Sequence, residues 1–233
     1  MTRIIRGRFR RWVLLVAIVP GAVALAIGTS APVRAATPSC GPGCVEPFSH
    51  EWGHNELMDA IGGGPGVQHQ RLILFRASHD DAALDFTFAF EGTVPQAVSV
   101  GLLAPIMLLH YAGDSAFEVE YSPFGVDSDL CIGTWPSNSP QPGWRLRLEP
   151  CGVGPWTVWI VDHFGTDGNS PGFGTVISGT TRVFSHPLVW TYPPNATPFD
   201  IPRPSVLVEP LTTFSFGQHP DSQQWGSRFG VVP

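Results

Sequence analysis

His50-Glu51-Trp52-Gly53-His54 spells the H-E-x-x-H pattern. On a helix the two histidines would share one face and bind zinc, and the glutamate would activate a metal-bound water. The setting opposes this. Pro47 precedes the segment and Gly62-Gly63-Gly64-Pro65-Gly66 follows it, so a helix has little room. The extension found in one large zinc-protease class also fails, because Leu57 replaces its glycine and Ala60 its third histidine. His50, Glu51 and His54 therefore carry only an alternative, a zinc-dependent hydrolase. Asp162-His163 could contribute to a hydrolytic dyad, but no Gly-x-Ser-x-Gly places a serine beside it. The glycine run at 62–66 lacks the Lys-Ser/Thr and helix of a phosphate cradle. No catalytic residue, metal ligand or cofactor is assigned on these grounds.

The elements that would position such groups depend on where the folded chain begins. All 13 basic residues are arginine, and six of them precede residue 36, where no acid occurs. A basic start, an apolar run from Trp12 to Ile27, and Val33-Arg34-Ala35 before Ala36 together form an export signal. Residues 1–35 are read as a signal peptide, and the protein as secreted and extracellular. Its removal leaves seven arginines against 19 acidic residues, a net charge of −12. So acidic a chain, without a basic patch, is a poor partner for nucleic acid or for a membrane surface. Twenty-six glycines and 24 prolines, with many β-branched and aromatic residues, favour short strands joined by turns.

Four cysteines follow the signal: Cys40, Cys44, Cys131 and Cys151. An even number in an exported chain suggests two disulfides. Three pairings exist. One closes Cys40-Gly41-Pro42-Gly43-Cys44 on itself and leaves Cys131 with Cys151. Residues 36–54, with the Cys40–Cys44 loop, are read as an N-terminal segment, and 55–233 as the folded domain.

Within 55–233 a pattern repeats three times. An apolar segment (Leu57–Ala60, Leu130–Gly133, Pro187–Trp190) precedes an alternating strand (Arg71–Ala77, Trp144–Leu148, Ser205–Val208). A loop then ends in a triplet closed by Phe86, Trp159 or Trp225. These large aromatics are read as shared core. The lobes span about 55–115, 116–180 and 181–233, with insertions at Glu91–Ala116, Asp162–Thr181 and Pro193–Arg203. Three such units cannot each bury an apolar face alone, but together they close a barrel.

The arrangement resembles the ricin-type β-trefoil lectin repeat, in which two cysteines close a lobe and a Gln-x-Trp ends it. Cys131 and Cys151 match the cysteines, and Gln223-Gln224-Trp225 matches the Gln-x-Trp. Phe-Glu-Val-Glu-Tyr-Ser-Pro-Phe-Gly at 117–125, Glu-Pro-Cys-Gly-Val at 149–153 and Ser-His-Pro-Leu-Val at 185–189 resemble secreted bacterial proteins. The resemblance implies an all-β trefoil of three four-stranded lobes with long loops, and a Cys131–Cys151 bridge.

It also implies where a sugar would sit. A ricin-type lobe places an Asp on its first strand, an aromatic on the second and an Asn before the Gln of the triplet. The second lobe has Gly133, Glu149 and Trp156 there, and the third has Glu209 and Ser222 with no Asp near Val189. The first retains Asp59 and Phe75, with Ala83 for the Asn. Asp59 to accept hydroxyl hydrogen bonds and Phe75 to face the apolar side of a sugar ring are the candidate carbohydrate site. The expected function is a secreted, non-enzymatic binding module for carbohydrate or cell-wall glycan. The alternative is a degenerate trefoil that acts as a structural or protein-interaction protein.

Overall fold

The computed structural model describes residues 45–53, 56–76, 86–135, 140–162 and 172–229. Cys40, Cys44, His54, Ala83 and His163, and with them the export signal and the expected Cys40–Cys44 loop, lie outside the described residues.

Six strands close a barrel. β1 (Val45–Ser49) pairs antiparallel with β12 (Trp225–Phe229), from Val45 opposite Phe229 to Ser49 opposite Trp225. β1 also meets β4 (Phe86–Thr93) at Val45–Phe86. From there the ring runs through β5 (Ser115–Tyr121), β8 (Trp159–Asp162) and β9 (Thr175–Ser178). A bridge between Gly174 and Trp225 completes it. Closure pairs every barrel strand on both sides and leaves no free edge in the ring.

The other six strands form three hairpins: β2 (Glu56–Ala60) with β3 (Leu72–Arg76), β6 (Leu130–Thr134) with β7 (Trp144–Pro150), and β10 (Leu188–Thr191) with β11 (Leu207–Pro210). Each grows out of the preceding barrel strand, at Phe48–Leu57, Glu120–Cys131 and Ile177–Val189. The hairpins meet one another through Arg71–Arg147, Arg145–Leu207 and Ile73–Ser205. Barrel and three-hairpin cap make a β-trefoil, as the repeats predict, and the paired apolar segments of the repeat are the hairpins.

The position of the first strand is a correction. Val45–Ser49 falls in the stretch expected to precede the domain, yet it pairs with the last strand. The four-strand lobes are accordingly 45–93, 115–162 and 175–229.

The core follows the three-fold logic. Phe86, Trp159 and Trp225 open β4, β8 and β12, and all three are buried. Trp159 donates its indole N–H to the Ile132 carbonyl at 2.7 Å, and Trp225 to the Trp190 carbonyl at 2.9 Å. Each bond ties the end of a lobe to the first strand of its own hairpin. Trp190 stacks edge-on between Trp159 and Trp225, with centroids 5.1 and 5.6 Å away. Gln223 is buried as well. Its amide donates to the Pro210 carbonyl and the Thr191 hydroxyl and accepts from the Thr212 N–H. The Gln-x-Trp of lobe three is therefore a structural stitch. Cys131 and Cys151 form a disulfide with Cα atoms 5.0 Å apart.

The first insertion is helical. α1 (Val94–Ser99) starts with a capping box: Gln96 N–H donates to the Thr93 hydroxyl, and the Gln96 side chain accepts from Thr93 N–H. With α2 (Leu108–Tyr111) it lays Val94, Ala97, Met107 and Tyr111 over Ala116, Ile160 and Ile177 on the outside of the barrel. This makes a second, smaller core between the insertion and strands β5, β8 and β9.

Candidate functional site

On the first hairpin, Asp59 lies opposite Ile73 and Leu57 opposite Phe75. Side chains two apart share a face, so Asp59 and Phe75 are diagonal neighbours on one side. That much agrees with the expected sugar site, but the exposure does not. Asp59 is only 2% exposed, and the Arg203 guanidinium sits 3.8 Å from the centroid of the Phe75 ring. A carboxylate withdrawn from solvent cannot receive hydroxyl groups, and an aromatic face under a guanidinium is already taken. Asp59 is buried, and Phe75 lies under Arg203 from the third lobe.

The His50–His54 segment is likewise corrected. β1 ends at Ser49, residues 50–52 turn, and Gly53 adopts a left-handed φ of 72°. Residues 50–53 thus form a turn and not the start of a helix, and His54 lies outside the described residues. His50 Nδ1 lies 2.8 Å from Asp221 Oδ1, and its ring packs on Phe173. Burial, and then the Asp221 charge, raises the Glu51 carboxyl above the ordinary glutamate value. Among the described residues no group of three or more His, Cys, Asp or Glu is placed to hold a metal ion. Asp162, the acid of the weighed dyad, is the last residue of β8.

The second hairpin carries a different constellation. Register makes Gly133 the counterpart of Asp59 and Glu149 the counterpart of Phe75. The carboxylate has thus moved to the opposite strand. A Cβ at Gly133 would come within 3.2 Å of the Glu149 Cβ, so glycine at 133 leaves the room that Glu149 uses. Glu149 is 2% exposed, and its Oε1 lies 2.7 Å from His69 Nδ1. Gln68 donates its amide to the other carboxylate oxygen at 3.4 Å.

His69 comes from the loop between β2 and β3, in lobe one. That loop is fixed by His69 N–H donating to the Leu148 carbonyl at 2.7 Å, and by Leu148 N–H donating to the Gln70 carbonyl. His69 has a φ of 68°, a left-handed conformation that costs a non-glycine residue energy. Its ring packs at 4.3 Å and 36° against Trp135, which is 44% exposed just after β6. Arg147 reaches the His69 carbonyl with one guanidinium nitrogen, while its buried Nε makes no hydrogen bond.

The result is a surface where two lobes meet. It has an exposed indole, an imidazole held by a buried carboxylate, and an exposed amide at Gln68. Residue type and spacing could not reveal it, because its components lie far apart along the chain and assemble only when hairpins one and two pair. The hint available was Trp135, a large aromatic next to Pro136-Ser137-Asn138-Ser139 in the sequence.

No protein-family model and no curated protein sequence matches the chain. Among solved structures it is similar to a designed 3-fold symmetric protein, ThreeFoil, at 12% identity and a TM-score of 0.51. That likeness covers 79% of this chain and 97% of the other. A proteinase inhibitor from Coprinopsis cinerea has 15% identity and a TM-score of 0.46, over 80% and 96% of the two chains. A lectin from Polyporus squamosus has 11% identity and a TM-score of 0.47, over 80% of this chain and 49% of that one. The first likeness bears on the fold alone, and the other two carry no weight. The closed six-stranded ring, the three capping hairpins and the match to a three-fold symmetric design together give the chain as a β-trefoil.

Proposed function

We propose that this chain is a secreted, non-enzymatic binding module that recognises a glycan through Trp135, His69 and Gln68. The exposed Trp135 beside an imidazole anchored by buried Glu149 is the observation that carries this reading. A sugar ring offers an apolar C–H face and directional hydroxyls. Trp135 supplies a surface for the first. The free ring nitrogen of His69 and the Gln68 amide supply directed partners for the second. Because Glu149 fixes the His69 ring, little side-chain freedom is lost on binding.

A glycan array and polysaccharide pull-down with the purified protein tests this. Trp135→Ala should weaken binding about tenfold or more, roughly 1.4 kcal/mol. His69→Ala should weaken it less, and Asp59→Ala should leave it unchanged. Absence of binding by the wild type to every glycan and polysaccharide tried, or equal binding by Trp135→Ala, defeats the reading.

A second reading has its own support: a trefoil that binds protein rather than sugar. Phe216 and Ile201 are 92% and 97% exposed on loops of the third lobe. Exposed large apolar residues of this kind mark contact surfaces when they act together. A Phe216→Ser, Ile201→Ser double variant that keeps glycan binding but loses a protein partner would favour it.

A further inference from the structure

The helical insertion is apolar beyond what its packing uses. Residues 94–111 contain no Asp, Glu, Lys or Arg. Val94, Ala97, Leu103, Met107 and Tyr111 are buried, but Ile106 and Leu109 are 46% and 76% exposed. They stand three apart in helical residues 105–111, and so lie on one side of them. Exposed apolar side chains that lie together mark contact surfaces.

Ile106 and Met107 form one wall of a groove of about 520 Å³, within the range of sites that hold small molecules. Pro155 and Trp156, before β8, give a second wall, and Arg182 and Phe184, after β9, a third. Gly179 lets these parts meet. A Cβ there would come within 2.5 Å of the Leu103 side chain, 2.8 Å of the Val158 carbonyl oxygen and 2.9 Å of that of Pro155. Gly179 N–H donates to the same Val158 carbonyl at 2.9 Å. Phe184 is held to the insertion by His110, whose ring stacks on it at 3.7 Å and 11°. The half-buried Trp156 ring occupies space that a side chain at Gly154 would need. With its walls fixed by such contacts, the groove is preformed, and a ligand orders little on entering it.

Arg182 supplies the charge. Arg76 faces Glu56, Arg147 reaches a carbonyl, and Arg203 covers Phe75. Arg182 is exposed and, among the described residues, has no ion pair, hydrogen bond or ring contact. Its planar fork can donate two parallel N–H bonds to a carboxylate. A guanidinium left unengaged beside apolar walls therefore matches a molecule with an acidic head and an apolar tail.

We propose that this groove binds a free amphiphilic carboxylate. Its head pairs with Arg182, and its tail lies along Met107, Trp156 and Phe184 with Ile106 at the open side. A neutral alcohol of the same length gains the apolar contact without the ion pair, and an ammonium is opposed by Arg182. The groove shares no residue with the Trp135–His69 surface and does not depend on the glycan reading.

Isothermal titration of the purified protein with octanoate, 1-octanol and octylammonium tests this. Octanoate is expected to bind, octanol about tenfold more weakly, as the loss of one charged hydrogen bond predicts, and octylammonium more weakly still. Arg182→Gln, at an exposed position, should bring octanoate down to the level of octanol and leave octanol unchanged. Ile106→Ser, also exposed, should weaken both. Thermal melts establish that each variant is folded. Trp135→Ala should bind octanoate as the wild type does, which separates this site from the glycan reading. No binding of octanoate at millimolar concentration overturns the proposal. So does equal binding of octanoate and octylammonium, or octanoate binding unaffected in folded Arg182→Gln. Binding to phosphatidylglycerol vesicles with none to octanoate would assign the apolar side chains to a membrane surface and overturn it too.

Discussion

The first and second hairpins have the same register and opposite contents. In the first, the carboxylate is on the leading strand at Asp59 and the aromatic on the returning strand at Phe75. In the second, glycine leads at Gly133 and the carboxylate returns at Glu149. The barrel strand beneath differs in the same sense, since Phe48 under hairpin one corresponds to Glu120 under hairpin two. In lobe one the polar residue Asp59 is buried, and Arg203 from lobe three covers Phe75. Lobe two turns its own polar residue towards a loop from lobe one. A shared backbone thus leaves each lobe free to use its diagonal pair for structure or for recognition, and a residue's place in the repeat does not say which.

This contrast can be broken at several points. The largest effect is expected in the shared core. Trp159→Ala should cost about 5 kcal/mol and Phe86→Ala about 3 kcal/mol, because only the tryptophan also ties its lobe to Ile132. Denaturant unfolding of both variants checks this, and equal losses would mean that the indole bond adds nothing. Next comes the disulfide that only hairpin two possesses among the described residues. Cys131→Ser with Cys151→Ser should cost about 3 kcal/mol. Hydrogen exchange should rise in β6 and β7 well before β2 and β3, and a uniform rise would deny lobe two its separate fastening.

Glu149→Gln should cost about 2 kcal/mol, because the His69 pairing is buried on the carboxylate side. The same variant should weaken glycan binding by freeing the imidazole. A loss of stability with binding intact would separate the anchor from recognition.

The smallest effect concerns pH. Burial, and then the Asp127 and Asp129 charges, raise Glu120 above its ordinary value of 4.5, against the lowering effect of the Asp129 and Ser128 N–H groups. The folded state then holds this proton more tightly than the unfolded one. Its contribution is complete below pH 4.5 and fades as pH rises through the raised value. Glu120→Gln should flatten that decline by under about 1 kcal/mol, read from unfolding midpoints across pH 4–8, whereas lobe one, with Phe48 there, has no such slope to lose.

Much of the architecture is legible in the sequence. The hairpins repeat at nearly constant spacing, and Phe86, Trp159 and Trp225 close each unit where a buried aromatic is required. β1 escapes notice because Pro47 interrupts its alternation and its last residue runs into His50-Glu51. The strand exists because β12 returns to pair with it, a contact between opposite ends of the domain. α1 does carry a local signal, since Thr93-Val94-Pro95-Gln96 is a capping box with proline in the first turn.

The binding surfaces are less legible for a physical reason. Asp59 and Phe75 are readable as a diagonal pair, but Arg203, which covers Phe75, comes from a loop of the third lobe. His69 and Glu149 are 80 residues apart, and no periodicity links them. Exposure depends on what the neighbouring lobe brings, and that is settled only when the cap assembles.

The pairing of Val45 with Phe229 has a mechanical meaning. A pull applied at these two residues loads the β1–β12 ladder from one end, so its bonds would break in succession, as in a zipper. Apart from the Val45–Phe86 contact with β4, the rest of the barrel and the cap would feel the load only afterwards. Force applied across Phe75 and Arg147, on two different hairpins, would strain many contacts together. The domain should therefore be soft along the line of its own chain and stiff across its cap.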